Sequence, residues 1–301
     1  MSSSHKFNCG YVEIVGRPNV GKSTLLNGII GQKICITSHK PQTTRHRILG
    51  IKNVDNAQIV YVDTPGIHKD DSKAMNRYMN KAASSTITDV DVIVFVVDRL
   101  VWNEEDRIVL KKVKQSGLPV ILAINKIDLL ADKTRLLPHI SKLSKELDVV
   151  QVIPLSARKK NGLDVLEQQV IELLPESAAF FPEDQLTDKS ERFIAAEFIR
   201  EKLMRQLNQE LPYALTVEIE KFDAKESTLH IHGLIWVERK GQKKVVIGKN
   251  GEQLKAVGQQ ARIEMERFFN RKVYLELWVK VREGWSNDER ALRSLGYKDE
   301  L

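Results

Sequence analysis

The residues with the clearest chemical meaning lie in Gly16–Ser23 (GRPNVGKS), which keeps the spacing G-x-x-x-x-G-K-S. Glycines allow a backbone to turn its N–H groups toward phosphate oxygens, and a following helix adds partial positive charge. In such a loop Lys22 reaches the β- and γ-phosphates, and the Ser23 hydroxyl binds Mg²⁺. Because the segment follows an apolar run and precedes a helical one, it predicts a nucleotide-binding loop rather than a chance turn.

Two further motifs suit a nucleotide that carries guanine. Asp63–Gly66 (DTPG) has an acid that can hold Mg²⁺ through water and a glycine whose N–H can contact the γ-phosphate. Asn125–Asp128 (NKID) ends in an aspartate that can accept hydrogen bonds from N1–H and the exocyclic amine of guanine. Adenine has no such edge, so this motif argues against an ATP-driven motor that shares the phosphate loop.

These motifs need strands that end at one edge of a sheet. Across the first 175 residues, short apolar runs alternate with segments of helical period, which predicts a mostly parallel sheet with helices on both faces. Only the runs at 48–54 and 57–62 are joined by a turn-like pair, so they predict an antiparallel hairpin. The three motifs then lie at the carboxyl ends of strands, where open α/β sheets bind ligands.

The composition limits the class of protein. The chain has 301 residues, 42% hydrophobic and 29% charged, which fits a globular protein of about two domains. Its two cysteines cannot build a disulfide framework, and no apolar run approaches the ~20 residues that cross a bilayer. The start of the chain lacks the apolar core of a secretion signal, so we expect a soluble intracellular protein. The net charge of +7 favours an anionic partner without identifying it.

The pattern changes after the first domain. Residues 175–190 carry two prolines and no clear period, which predicts a linker. Beyond it the pattern predicts a helix, two strands, a second helix and a third strand, which form a small α+β domain. Gly248–Gly251 (GKNG) precedes the second helix, and Arg239–Lys249 carries five basic side chains and no acid. Such a turn can clamp a single-stranded nucleic-acid backbone, and a plain helix-entry turn is the alternative from the motif alone.

These features together resemble the Era family of GTPases, a branch of the Ras-like superfamily. Five segments match its nucleotide motifs in order: Gly16–Ser23, Gln42–Arg45 (QTTR), Asp63–Gly66, Asn125–Asp128 and Leu155–Ala157 (LSA). The second half resembles the KH domain of that family, a single-stranded RNA-binding module. The resemblance implies an α/β P-loop NTPase domain at 1–178, a linker at 179–190, a smaller α+β KH-type domain at 191–283 and a C-terminal tail at 284–301.

The resemblance also implies a role for each matching residue. The expected catalytic residues are Lys22, Thr44 and Gly66, with Thr43 as the alternative to Thr44, and the expected Mg²⁺ ligands are Ser23, Thr44 and, through water, Asp63. The expected nucleotide contacts are Gly16, Arg17, Pro18, Asn19, Val20, Gly21, Lys22, Ser23, Thr24, Asp63, Thr64, Pro65, Gly66, Ile67, Asn125, Lys126, Ile127, Asp128, Ser156 and Ala157. The expected RNA contacts are Lys243, Lys244, Gly248, Lys249, Asn250 and Gly251.

Two positions bear on the rate of hydrolysis. Ile67 follows DTPG where Ras and Gα have the glutamine that orients the attacking water, so we expect slow intrinsic turnover that a partner or an ion raises. Asn19 resembles the asparagine of relatives that bind K⁺ beside the phosphates. A K⁺ requirement is therefore a second cofactor hypothesis, with a plain turn residue as its alternative.

The resulting hypothesis is a cytoplasmic, monomeric switch that binds GTP and GDP and hydrolyses GTP slowly. Its KH domain holds ribosomal RNA near the 3′ end of the small-subunit rRNA, and its process is assembly of the small ribosomal subunit. The resemblance further implies peripheral contact with the inner face of the plasma membrane. The alternative is a membrane-associated or signalling GTPase whose second domain binds protein, and the basic segment beside Gly248–Gly251 favours RNA over it.

Overall fold

The computed structural model describes residues 7–40, 43–65, 73–84, 89–207 and 211–297. The chain divides into two compact units. The first contains the described residues within 1–35, 44–67 and 80–188, and the second contains those within 36–43, 68–79 and 189–301. The short stretch 36–43 thus belongs to the second unit, although the residues on either side of it belong to the first.

A six-stranded sheet forms the centre of the first unit. Its strands are β1 (Asn8–Val15), β2 (Ile48–Val54), β3 (Ala57–Asp63), β4 (Val92–Asp98), β5 (Val120–Asn125) and β6 (Gln151–Pro154). Their spatial order is β2-β3-β1-β4-β5-β6. The hairpin pair β2 and β3 is antiparallel, and every other pair is parallel. The predicted hairpin and the mostly parallel sheet are therefore confirmed.

The helices between and after these strands along the chain are α1 (Lys22–Ile30), α2 (Ala74–Ser84), α3 (Glu104–Ser116), α4 (Leu136–Glu146) and α5 (Leu163–Leu173). Of these, α2 is divided between the two units, because its residues up to Met79 belong to the second unit. Every residue of β4 is buried. Alternate strand residues point to opposite faces, so a fully buried strand means that both faces of the sheet are covered. On one face Val113 of α3 and Leu143 of α4 join the cluster that contains Phe95 and Val97. This is the predicted α/β class.

The second unit is a three-stranded sheet with helices on one face. Its elements are α6 (Glu191–Gln206), β7 (Leu215–Lys225), β8 (Thr228–Val237), α7 (Lys240–Ile247), α8 (Glu252–Phe269), β9 (Lys272–Val281) and α9 (Glu289–Ser294). The strand order is β7-β8-β9, antiparallel and then parallel. Phe198 of α6 and Ala261 of α8 lie in one core cluster with Ile231 and Ile235 of β8. The predicted α+β class is confirmed.

One helix of this unit is absent from the sequence prediction. The sequence pattern predicts no helix between the second strand of this domain and Gly248, whereas the structure places Lys240–Ile247 in α7. The Gln242 side chain accepts hydrogen bonds from the backbone N–H groups of Glu238 and Arg239, which caps the N-terminus of α7. An eight-residue helix that ends in Val245, Val246 and Ile247 has the β-branched composition of a strand, so its period is not visible.

The segment predicted as a linker runs along the hairpin edge of the first unit. Gln58 Oε1 accepts hydrogen bonds from the backbone N–H groups of Phe180 and Phe181 at 2.7 and 2.9 Å. Further along, the Ile51 N–H donates to the Leu186 carbonyl at 2.9 Å. These contacts explain why the first unit extends to Asp188. Among the described residues, no helix is long and apolar enough to cross a membrane.

Candidate functional site

The loop between β1 and α1 keeps its shape because two of its positions require glycine. Gly16 and Gly21 have φ angles of +152° and +106°, a region that L side chains rarely adopt. A Cβ atom on Gly16 would lie 2.4 Å from the Val96 carbonyl oxygen, and one on Gly21 would lie 2.4 Å from Asn125 Nδ2. With no side chains at these two positions, the backbone can approach a phosphate closely.

The side chains predicted to bind Mg²⁺ converge beside this loop. Ser23 Oγ donates to Asp63 Oδ2 at 2.7 Å and lies 3.0 Å from Thr44 Oγ1, which is 3.4 Å from the same carboxylate oxygen. Asp63 Oδ1 is buried and has no hydrogen-bond partner among the described residues. An unpaired buried carboxylate oxygen is costly, and this set of hard oxygen donors suits Mg²⁺. The residues therefore fit the predicted ion.

The neighbouring threonine lies elsewhere. Thr43 Oγ1 donates to the Lys40 carbonyl at 2.7 Å, whereas Thr44 Oγ1 faces Ser23 and Asp63. Of the two threonines that the sequence offers as Mg²⁺ ligand, this geometry favours Thr44.

Burial perturbs the two charged groups of this site in opposite directions. Lys22 Nζ donates to the carbonyl oxygens of Gly16 and Arg17 at 2.8 and 3.2 Å. Burial lowers the pKa of Lys22 and raises the pKa of Asp63, and each charge opposes the shift of the other. A ligand that offers an anion to Lys22 and a cation to Asp63 relieves both penalties, as a nucleotide with Mg²⁺ does.

Asn125 and Lys126 connect the base-binding loop to the phosphate loop. Asn125 Nδ2 donates to the Val20 carbonyl at 2.8 Å, and its Oδ1 accepts from the backbone N–H groups of Lys126 and Ala157 at 2.7 and 2.9 Å. Lys126 Nζ donates to the Asn19 carbonyl at 2.6 Å. Three motifs far apart in sequence thereby share one hydrogen-bond network.

Asp128 is held by the last of the predicted motifs. Its Oδ1 accepts a hydrogen bond from Ser156 Oγ at 2.6 Å, and Ser156 Oγ accepts from the Lys159 N–H at 3.1 Å. This bond orients the carboxylate, which has about four lone-pair sites and so retains acceptors for a base. These acceptors suit a base whose edge carries two adjacent hydrogen-bond donors, as the edge of guanine does.

Two acidic residues of this site are missing from the sequence prediction. Asp98, at the end of β4, accepts a hydrogen bond from Lys126 Nζ at 2.7 Å, and buried Asp106 lies 3.3 Å from Arg17 Nε. Although burial opposes it, hydrogen bonds from Lys126 and Arg99 lower the pKa of Asp98. Asp98 could have been identified from the sequence, because it is an acid at the carboxyl end of an apolar run. Asp106 could not, because it resembles an ordinary acid in the first turn of a helix.

The other predicted contacts are distributed around these groups. In the described part they lie in the phosphate loop (Arg17, Pro18), the first turn of α1 (Thr24), the stretch after β3 (Thr64, Pro65) and the turn after β5 (Ile127). Gly66 and Ile67 lie outside the described residues. The role of Gly66 at the γ-phosphate and the effect of Ile67 on turnover stay predictions.

Glu13 is a further buried acid close to the DTPG motif. It lies on β1, is fully buried, and its Oε1 accepts a hydrogen bond from Thr64 Oγ1 at 3.4 Å. Its Oε2 has no hydrogen-bond partner in the described part of the chain. Burial raises the pKa of Glu13 to about 7, and the Thr64 hydrogen bond and the charge of Arg47 only partly oppose this shift.

The raised pKa predicts a pH-dependent stability. In the unfolded chain Glu13 ionises near pH 4.5, whereas in the folded protein it keeps its proton to about pH 7. The contribution of Glu13 protonation to the free energy of unfolding is therefore fully present below pH 4.5, and it is lost as the pH rises through 7. Relative to Glu13→Gln, the wild type should lose about 2 to 3 kcal/mol of unfolding free energy between pH 5 and pH 8 in urea denaturation. An exposed-site control, Asp148→Asn, should show no such trend, and a constant Glu13→Gln difference would contradict the prediction.

In the second unit, the Gly248–Gly251 turn leads directly into α8. Gly248, Asn250 and Gly251 have φ angles of +75°, +51° and +78°. A Cβ atom on Gly248 would lie 2.6 Å from the Cβ of Gln253, so the turn excludes a side chain there. Lys249 and Asn250 are exposed at its tip. Of the other predicted RNA contacts, Lys243 and Lys244 lie on α7, one helix turn before Gly248.

A groove of about 600 Å³ begins at this turn. It is lined by Gly251, Leu254, Lys255, Gly258, Gln259, Arg262, Leu275 and Leu277. Leucines on its floor can contact bases, and Lys255 and Arg262 add positive charge for a backbone phosphate. Apart from Gly251, the sequence prediction did not include these residues, although Leu254, Gly258 and Arg262 recur with the spacing of one helix face.

Comparison with known proteins identifies both halves of the chain. Residues 11–126 match the family described as 50S ribosome-binding GTPases, and residues 210–286 match the KH domain. The chain is 60% identical over 299 residues to GTPase Era of Ectopseudomonas mendocina, with 99% of this chain and 100% of the relative covered. It is 61% identical over 291 residues to GTPase Era of Pseudomonas aeruginosa, with 97% and 95% covered.

The similarity extends to solved structures. A crystal structure of Era in complex with MgGDPNP and nucleotides 1506–1542 of 16S ribosomal RNA matches with a TM-score of 0.92 at 40% identity. The match covers 97% of this chain and 99% of that one.

Proposed function

Because this chain belongs to the Era family of GTPases, we propose that it couples GTP hydrolysis to binding of single-stranded RNA near the 3′ end of the small-subunit rRNA. The process that this RNA suggests is assembly of the small ribosomal subunit. The observation that carries the proposal is the Gly248–Gly251 turn with its groove, in a chain whose other unit has the GTP site. A relative of 40% identity bound to 16S rRNA supports the same RNA class.

In the first unit, we assign the phosphates, Mg²⁺ and the base to different side chains. Lys22 would bind the phosphates, Ser23 and Thr44 with Asp63 would hold Mg²⁺, and Asn125 and Asp128 would position the base, as their placement in the described hydrogen-bond network supports. When bound, Mg²⁺ neutralises charge that develops on the β- and γ-phosphates. Ile67 offers no donor or acceptor to the attacking water, which supports slow intrinsic turnover.

We also propose K⁺ as a second cation at the phosphates. Asn19 supports this because it is exposed in the phosphate loop with a φ of +64°, while its carbonyl is fixed by Lys126. A monovalent cation beside the phosphates would stabilise the charge of the transition state. Turnover should be several-fold higher in KCl than in NaCl of equal concentration, and Asn19→Ala should remove this difference. Equal turnover of the wild type in the two salts would exclude the K⁺ requirement.

Titration of the intact protein with an oligonucleotide of the rRNA 3′ end tests the RNA proposal. With a non-hydrolysable GTP analogue bound, binding should be stronger than to a scrambled oligonucleotide and should weaken as salt rises, since Lys and Arg contacts to phosphates release counterions. The Gly248→Asp, Gly251→Asp variant should lose this binding. Equal affinity for the scrambled oligonucleotide would remove the preference for the 3′-end sequence, whereas absence of binding in any state, or an affinity insensitive to salt, would favour a second domain that binds protein.

Monomeric state, cytoplasmic location and peripheral membrane contact follow from the family resemblance and stay predictions. Light scattering and cosedimentation with anionic vesicles would test the first and the last.

A further inference from the structure

The helix α6 buries four charged side chains that neither site uses. Glu197, Arg200, Glu201 and Lys202 are each at most 6% exposed. Charged side chains are rarely buried unless other groups pair with them, and removing one partner of a buried pair is costly. Some partners of these side chains lie in Ile36–Thr43, the short stretch that belongs to the second unit.

Arg200 holds the end of this stretch. Its Nη2 donates to the Thr43 carbonyl at 2.5 Å, and Nε and Nη2 both donate to the Glu197 carboxylate at 2.6 Å. The bidentate pair fixes the plane of the guanidinium, so that Nη2 points at one carbonyl oxygen. Arg200 is 1% exposed, which removes competition from water.

Glu201 holds the beginning of the same stretch. Its Oε1 accepts hydrogen bonds from the Thr37 N–H at 2.9 Å and from the Thr37 hydroxyl at 3.3 Å. Arg205 Nη2 donates to Glu201 Oε1 at 2.9 Å and to the Thr37 carbonyl at 3.0 Å. Between these two anchors, Lys40 Nζ donates to the Leu207 carbonyl. Three described residues of the stretch, Thr37, Lys40 and Thr43, are therefore each held by α6 or by the residue after it.

The chain passes from this stretch directly to the GTP site. Thr44 follows Thr43, so their Cα atoms are about 3.8 Å apart. Thr44 Oγ1 lies 3.0 Å from Ser23 Oγ in the cluster that fits Mg²⁺. A carbonyl fixed at Thr43 restricts where the Thr44 hydroxyl can lie, because the Thr43 carbonyl and the Thr44 Cα belong to one planar peptide unit.

We propose that Arg200 and Glu201 are positioning residues of the GTP site, which act through the Ile36–Thr43 stretch to place Thr44 for binding the γ-phosphate state. The inference rests on the GTPase activity and not on the RNA partner, so it is tested without RNA. Thr44 is expected to bind Mg²⁺ only when a γ-phosphate is present. Loss of either anchor should therefore weaken binding of a GTP analogue and leave GDP affinity almost unchanged.

The test measures affinity for GDP and for a non-hydrolysable GTP analogue at fixed Mg²⁺. Arg200→Lys keeps the charge beside Glu197 but is too short to reach both partners, so the preference for the analogue should fall about 5- to 10-fold. Glu201→Gln should lower the preference in the same direction. A matched control, Arg192→Lys, changes an exposed arginine of the same helix that contacts the Ile219 carbonyl, and it should change neither affinity.

A double-mutant cycle with Thr44→Ala separates positioning from general destabilisation. If Arg200 acts through Thr44, Arg200→Lys should lower the analogue preference less than twofold in the Thr44→Ala background. Equal effects of Arg200→Lys in both backgrounds, or equal losses of GDP and analogue affinity, would overturn the proposal. A wild type that binds the analogue but no RNA would leave this inference intact while removing the RNA partner.

Discussion

Replacing Asp128 with Asn is expected to lower affinity for GDP and GTP by at least about 10³-fold and to raise affinity for xanthosine nucleotides. The Asp128 carboxylate, oriented by Ser156 Oγ, offers only acceptors to the two adjacent donors of guanine. An asparagine amide places an N–H group against one of these donors. Xanthine has a carbonyl at that position, so the same amide can donate to it.

Titration of the variant with GDP and xanthosine diphosphate measures this exchange. Asp132→Asn is the matched control, because Asp132 is an exposed aspartate four residues further along that caps a turn through the Thr134 N–H. The control should bind GDP as the wild type does. Parallel loss of both nucleotides in Asp128→Asn would indicate a damaged loop, and unchanged GDP affinity would remove Asp128 from base recognition.

The second large effect is expected at the tip of the turn in the second unit. Lys249→Asp with Asn250→Asp should weaken RNA binding about 100-fold, because it removes one positive charge and adds two negative ones where a phosphate backbone would lie. Both residues are exposed, and aspartate tolerates the left-handed conformation of Asn250. The glycines, and with them the shape of the turn, are retained.

This design avoids a weakness of glycine substitutions. A side chain at Gly248 would collide with Gln253, so Gly248→Asp can disturb α8 as well as RNA contacts. Lys225→Asp, at the exposed end of β7, is a control that makes the same Lys→Asp change, two of the three charge units of the turn variant, away from the turn. RNA affinity of the turn variant equal to that of this control would show that RNA does not contact the turn.

Local patterns in the sequence predicted most of the fold of the first unit. Fully apolar strands such as β4 are visible because burial on both faces leaves no polar alternation. Apart from Thr44, which precedes β2, the motif residues of the GTP site could be assigned because each lies where a strand ends. Asp106 could not, since its role depends on Arg17, which reaches it from a loop 89 residues earlier.

The second unit shows where local patterns fail. α7 is short, and its apolar residues are β-branched, so the capping by Gln242 decides its conformation. The sequence analysis assigns no role to the charges of α6, yet Arg200 and Glu201 are buried and hydrogen-bonded to Thr43 and Thr37. Such tertiary pairing leaves no periodic signal, and the groove beside Gly251 likewise depends on β9 lying next to α8.

In the proposed function, the nucleotide bound in the first unit changes the affinity of the second unit for RNA. The most direct measurement is the affinity of the intact protein for the rRNA 3′-end oligonucleotide, with GDP and then with a non-hydrolysable GTP analogue at the same Mg²⁺ and salt. We expect at least about 5-fold tighter binding with the analogue, which is at the low end of measured couplings between sites. Equal affinity in the two states would contradict it, because a ligand without preference for one state cannot be coupled to that state.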